Sequence, residues 1–193
     1  MLAIIKAMER GEIRRAKIRV VISDKKDARA LRIAARHGIR AVFLDPASSP
    51  TRLEYDKEIM RELERNGVGP GSGLVLLAGF MRLLSPDLVK RYAGRMMNIH
   101  PALLPSFPGL RAQEKALEHG VKVSGCTVHF VVPEVDSGPI VLQRAVAVEE
   151  GDTPETLAAR ILRQEHRIYP LAVKLFVEGR LRIVGRRVVI SSR

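Results

Sequence analysis

KIRVVISDKKDARALRIAARHGIRAVFL, residues 17–44, decides the fold. Lys17–Ser23 is a β-branched run and reads as a strand, Lys25–His37 as a helix with Gly38 in the left-handed position just after it, and Arg40–Leu44 as the next strand, closed by Pro46. A strand, a helix and a second strand within this length imply parallel pairing through a right-handed crossover. The rhythm continues. Arg52–Asn66 is an amphipathic helix with Leu53, Ile59, Met60 and Leu63 on one side and Gly67 after it. Leu74–Ala78 is apolar throughout, as in a strand buried on both faces. Pro86–Tyr92 is a short helix and Arg95–Ile99 a strand.

Beyond His100 the pattern changes. Pro101, Pro105 and Pro108 mark a loop, and Leu110–His119 reads as a helix ended by Gly120. Ser124–Val131 alternates, with Cys126, Val128 and Phe130 on one face and Thr127, His129 and Val131 on the other. Pro139–Val148 follows as its antiparallel partner after the turn at Asp136-Ser137-Gly138. Asp152 or Thr153 caps a long helix with Pro154 in its first position, which Pro170 should kink or break before Glu178. Leu181–Ile190 reads as one final strand. The fold class is therefore α/β, a Rossmann-like parallel sheet continued by an antiparallel part. The division lies between residues 1–99 and 100–193, read together as one compact unit.

Composition narrows the function. The chain has 193 residues, suited to one domain or one and a half, and its apolar stretches fall short of the ~20 residues of a membrane span. Positive charge follows the short N-terminal apolar patch instead of preceding it, the reverse of a signal peptide. Cys126 is the single cysteine and cannot form an intramolecular disulfide, which points to a reducing cytoplasm. The net charge is +12, from 33 basic and 21 acidic residues, a sign of anionic partners. The basic residues are dispersed, with clusters only at Arg14-Arg15 and Arg186-Arg187, and aromatics are 4% of the chain. A solvated basic surface is the reading, without nucleic-acid or membrane partners.

Asn98, His100 and Asp136 are the candidate chemistry. Asn98 and His100 sit two apart at the C-terminal end of a parallel strand, where open α/β sheets place their ligands, and i and i+2 share a face. A carboxylate orients an imidazolium, the histidine moves a proton, and an asparagine amide donates to a developing oxyanion. That set suits acyl transfer without a covalent intermediate. The same residues also suit a structural strand end and an ordinary Asp-Ser-Gly-Pro turn.

The segment Asn98-Ile-His-Pro-Ala-Leu-Leu-Pro-Ser-Phe-Pro-Gly109 resembles the signature of the folate-dependent formyltransferases. Its Ser-Phe-Pro-Gly-Leu ending is similar to the glycinamide ribonucleotide formyltransferases among them, unlike the methionyl-tRNA enzymes. Further matches are Leu77-Ala-Gly-Phe-Met-Arg-Leu-Leu84, Gly125-Cys-Thr-Val-His-Phe-Val131, Asp136-Ser-Gly-Pro-Ile140 and Gln164-Glu-His-Arg-Ile-Tyr-Pro170, and the resemblance runs from Leu2 to Leu181.

The resemblance implies formyl transfer from 10-formyltetrahydrofolate, without a metal, to the amine of 5-phosphoribosylglycinamide in purine biosynthesis. His100 would be the general acid/base, Asp136 would raise its pKa, and Asn98 would bind the formyl oxygen. Met81, Arg82, Leu83, Leu84, Val132, Pro133, Glu134, Val135 and Asp136 would line the folate pocket, largely through backbone groups, with Arg52 a further folate contact. Leu162, Arg163, Gln164 and Glu165 would bind the ribonucleotide. His129 matches a site histidine and is equally a packed strand residue; Leu104–Pro105 is expected to be cis. The assembly would be a monomer or homodimer. One departure stands out. The family's first strand and its phosphate-cradling Gly-x-Gly-Ser-Asn loop have no counterpart, since Met1–Ile5 already matches the helix after that loop. The polypeptide is therefore expected to begin upstream, with a gap or a foreign strand between Lys17–Ser23 and Leu74–Ala78. An inactive folate-binding remnant, or a formyltransferase for another amine, is the alternative.

Overall fold

A computed structural model describes residues 1–192. Helix α1 (Leu2–Glu9) leads to strand β1 (Val20–Ser23), α2 (Arg29–Arg36), β2 (Arg40–Phe43), α3 (Arg52–Arg65), β3 (Val75–Leu77), α4 (Pro86–Arg91) and β4 (Met96–His100). Then come α5 (Ala112–Glu118), β5 (Val123–Phe130), β6 (Ile140–Ala147), α6 (Pro154–Val177), β7 (Leu181–Val184) and β8 (Arg187–Ile190). The predicted elements are present, several a few residues shorter at their ends. Gly38 closes α2 at φ +65° and Gly67 follows α3 at +73°, conformations that cost glycine little. Thr51 caps α3 by accepting from Glu54 N–H, and Ser85 caps α4 ahead of Pro86. Thr153 and Thr156 form a reciprocal capping box at the start of α6.

β1 pairs parallel with β2, and β3 with β4; β4–β5 and β5–β6 are antiparallel, as the change of rhythm after His100 implies. The larger sheet runs β3-β4-β5-β6-β8-β7, while β1-β2 forms a separate two-stranded sheet. No ladder joins β1 to β3. β3 is consequently an edge strand, half-buried instead of buried on both faces as its composition suggested.

Alternate residues feed two cores. Met97, Cys126, Val128 and Phe130 pack with Ile4 and Ala7 of α1 and Leu157, Ile161, Ile168 and Tyr169 of α6, so one cluster joins both halves of the chain. Met96 faces the opposite way, into Tyr55, Ile59 and Leu63 of α3 and Leu88 and Tyr92 near α4. Two expectations are corrected. α6 runs unbroken through Pro170, which is buried there; the dense packing of Ile168, Tyr169, Ala172 and Val173 offsets the lost backbone hydrogen bond. The final strand is two, β7 and β8, folded back at Gly185, whose φ is +58°.

Tyr169 ties the layers where the site begins. Its hydroxyl lies 2.8 Å from the Leu77 carbonyl, at the end of β3, and 3.0 Å from that of Met97, near the start of β4. Tyr169→Phe strands buried acceptors and is expected to cost ~1–3 kcal/mol, read as a lower denaturant midpoint at unchanged slope.

Candidate active site

β4 delivers Asn98 and His100 to one face of the sheet, as the i, i+2 spacing requires, and Met97 to the other. In β5, His129 stands opposite Asn98 and Thr127 opposite His100, so these four side chains share the face turned away from α6. β5 then leaves its ladder, and residues 132–136 fold back across that face. Gly138 permits the fold: a Cβ there would collide with the Phe130 carbonyl. Asp136 itself takes a left-handed backbone, φ +50°, which aspartate tolerates better than most residues.

That turn puts one carboxylate between two histidines. Asp136 Oδ2 lies 3.3 Å from His100 Nδ1, and Oδ1 lies 3.5 Å from His129 Nε2. Gly109 N–H donates to Oδ2 at 2.8 Å. Asn98 Nδ2 is 3.4 Å from His129 Nε2, while His129 Nδ1 is held by the Phe130 carbonyl at 3.0 Å. His100 Nε2 is 2.8 Å from the carbonyl of Phe107, another left-handed residue at φ +53°. A carbonyl only accepts, so Nε2 carries the proton, and Nδ1, beside Asp136, is the basic position of neutral His100.

The charges follow from this enclosure. Burial pushes the His100 imidazole below its ordinary value of 6.5, against the Phe107 carbonyl and the Asp136 charge, which both push it up. The expectation that Asp136 raises this pKa therefore holds for its own contribution and not for the net result: His100 is only 4% exposed, and desolvation outweighs the carboxylate. Burial alone would raise the Asp136 carboxyl. The contact with His129, the hydrogen bond from Gly109 N–H and the charge of His100 together hold it below its ordinary value of 3.8.

The loop after His100 is clamped from below. Leu104–Pro105 is cis, as expected. Thr127, fully buried, donates to the Ala102 carbonyl at 2.7 Å and accepts from Leu104 N–H at 3.0 Å, and Gln143 donates to the Leu104 carbonyl at 2.9 Å. Phe107, Gly109, Thr127 and Gln143 are site-building residues that sequence reasoning missed. Backbone donors and acceptors leave no trace in residue type; only the place of Thr127 on the His129 face of the alternating strand pointed to it.

The remaining predicted residues are dispersed around this centre. Met81 and Leu83 are 71% and 58% exposed, uncommonly open for large apolar side chains. Leu84 packs against the α3–α4 core, and the Arg82 guanidinium sits 5.2 Å over the Tyr55 ring. Asp56 of α3 accepts from the Ser85 amide, anchoring the end of this loop to the helix that Arg52 opens. Arg52 itself is exposed. Val132 is half-buried, whereas Pro133, Glu134 and Val135 are exposed beside Asp136. On α6, Leu162 and Arg163 are exposed and Gln164 and Glu165 half-buried, and among the described residues none of the four is hydrogen-bonded to the His100 group. Burial raises the Glu165 carboxyl, against the pull of the Met1 amino group. No group of three or more His, Cys, Asp or Glu suited to a metal ion occurs among the described residues.

A family model described as formyl transferase matches residues 1–173. The chain belongs to the formyl transferase family. Among curated relatives, it is 43% identical over 181 residues to the phosphoribosylglycinamide formyltransferase of Escherichia coli K12, spanning 94% of this chain and 83% of that one. The crystal structure of glycinamide ribonucleotide transformylase 1 from Symbiobacterium toebii superposes with a TM-score of 0.94 at 53% identity, covering 98% of this chain and 87% of that one. A formyltetrahydrofolate deformylase from Pseudomonas syringae is more distant, at 26% identity and TM-score 0.88, covering 99% of this chain and 61% of its own. In this formyl transferase, then, the cluster around Asp136 lies within the segment the family shares, as does α6 up to Val173.

Proposed function

We propose that this chain transfers a formyl group from 10-formyltetrahydrofolate to the amine of 5-phosphoribosylglycinamide, a step of purine biosynthesis. The observation that carries the reading is Asp136 set between His100 and His129, beside Asn98, at the end of β4. The names of the E. coli and Symbiobacterium relatives supply the acceptor, and that of the Pseudomonas deformylase the donor.

The donor supplies an activated formyl group. Exposed Met81, Leu83 and Val135 suit a flat heteroaromatic ring, and the backbone of 81–84 and 132–136 its polar edge. Arg52 suits the carboxylate end of a folate, and Leu162, Arg163, Gln164 and Glu165 suit the ribonucleotide. Asn98 Nδ2 donates to the formyl oxygen as negative charge develops there. His100 Nδ1 takes the proton from the attacking amine and returns it to the donor nitrogen as the carbon–nitrogen bond to the donor breaks. Asp136 Oδ2 stabilises the transient imidazolium.

Transfer is direct. Among the described residues the one thiol, Cys126, is buried on the α6 side of the sheet with its pKa pushed up to about 12, which leaves it inert. Intact-protein mass spectrometry during turnover is expected to show unmodified chain; a species heavier by one formyl group overturns direct attack. The buried lone thiol also suits a reducing cytoplasm, with small-molecule substrates and a monomer or homodimer as the working form. The acceptor assignment is tested by initial rates with donor alone and with donor plus phosphoribosylglycinamide. Strict acceptor dependence supports it; equal donor consumption in both, or in neither, contradicts it.

A further inference from the structure

The net charge of +12 is not evenly absorbed by the surface. Most arginines that make side-chain contacts have carboxylates: Arg10 with Glu12, Arg40 with Glu62, Arg91 with Glu64, Arg160 with Asp152 and Glu149. The groove between α1 and α2 is different. It encloses about 420 Å³ and is lined by Lys6 of α1 and by Arg29, Arg32, Ile33 and Arg36 of α2, with Leu2 and His37 at its ends. Among the described residues, the acid that ion-pairs with this set is Glu9, 2.7 Å from His37 Nδ1. Lys6, Arg29, Arg32 and Arg36 are exposed and make no ion pair or side-chain hydrogen bond among the described residues.

Folding does not explain these cations. Residues 29, 32 and 36 follow i, i+3, i+7 spacing, so three guanidinium groups line one face over about 10 Å of helix, where neighbouring like charges destabilise it. Arg29 occupies the first position of α2, the positive end of the helix dipole. That end has no acidic residue in its first turn and no side-chain cap. Guanidinium forks match phosphate oxygens bidentately, and Lys6 from across the groove adds a point charge. A single phosphate satisfies one or two of these groups; a series of phosphates engages them all.

We propose that the α1–α2 groove is a binding site for an oligophosphate anion, either a free polyphosphate or the phosphate tail of a nucleotide. No residue of the His100 group lines it, so it is separate from formyl transfer and does not rest on that reading.

Calorimetric titration of the full chain at physiological salt, with tripolyphosphate, ATP and orthophosphate, tests this. Tripolyphosphate is expected to bind at least tenfold more tightly than orthophosphate. ATP binding as tightly as tripolyphosphate assigns phosphates alone; tighter binding assigns a nucleotide. The double variant Arg32→Gln/Arg36→Gln is expected to lose at least tenfold in affinity, with a melting temperature no lower than that of the unsubstituted chain and unchanged formyl transfer. Absence of binding, equal affinity for orthophosphate, unaltered affinity in the double variant, or displacement of tripolyphosphate by phosphoribosylglycinamide overturns it.

Discussion

Asn98→Ala is expected to lower turnover by about 10²–10³-fold, the usual cost of removing one preorganised oxyanion donor. The amide is well placed for that task. Asn98 lies in the middle of β4 beside the carboxylate–histidine cluster, half-buried, and its side-chain hydrogen bond among the described residues is a long 3.4 Å approach to His129 Nε2. Its donor hydrogens are thus oriented without being consumed by a strong protein partner. An interaction made mainly with developing charge should appear in kcat and little in KM. Steady-state kinetics with both substrates varied checks this. A loss below tenfold removes Asn98 from the role, and a loss confined to KM makes it a ground-state binding residue.

Asp136→Asn is expected to cost about 10²–10⁴-fold in turnover, the range general acid–base assistance provides, and also to move the pH profile. The variant keeps the geometry. Asparagine tolerates the left-handed backbone at 136, and its amide oxygen still accepts from Gly109 N–H. What it loses is the charge. His100 already titrates below 6.5 because burial dominates, so it is mostly neutral at pH 7 and competent as a base. Activity should fall only as pH drops through that lowered value. Since Asp136 pushes the His100 value up, removing its charge lowers it further, and the acid limb of kcat should move to lower pH while the plateau falls. In wild type the carboxyl is held below its ordinary value of 3.8, so it is ionised at neutral pH, where the plateau is read. A smaller plateau with an unmoved limb would mean that Asp136 acts on loop geometry and not through His100.

The regular elements were legible because local signals agreed. Gly38 and Gly67 mark helix ends, and Thr153-Pro154 a helix start, by backbone chemistry that any context preserves. Pro170 misled because tertiary packing overrides a local penalty: with Tyr169 bonded across two strands and Pro170 itself buried, α6 holds its line. The Leu181–Ile190 reading failed because Gly185-Arg186 is too short a break in a β-rich run to stand out.

In the site, Asn98 and His100 followed from strand periodicity, and Asp136 from the motif. That Asp136 returns to the same face is a property of the folded-back loop and of Gly138 against Phe130, which no spacing rule contains. His129 was ambiguous for a physical reason: it is both a packed strand residue, 2% exposed, and a partner of Asp136.

The fate of an isotopically labelled formyl group tests the central claim most directly. The chain is mixed with labelled 10-formyltetrahydrofolate and phosphoribosylglycinamide, and the label is followed by NMR. It is expected to appear in the amide formyl group of the acceptor, with His100→Ala reducing that signal by at least 10²-fold. Label released as free formate, or retained on the donor, would contradict the account.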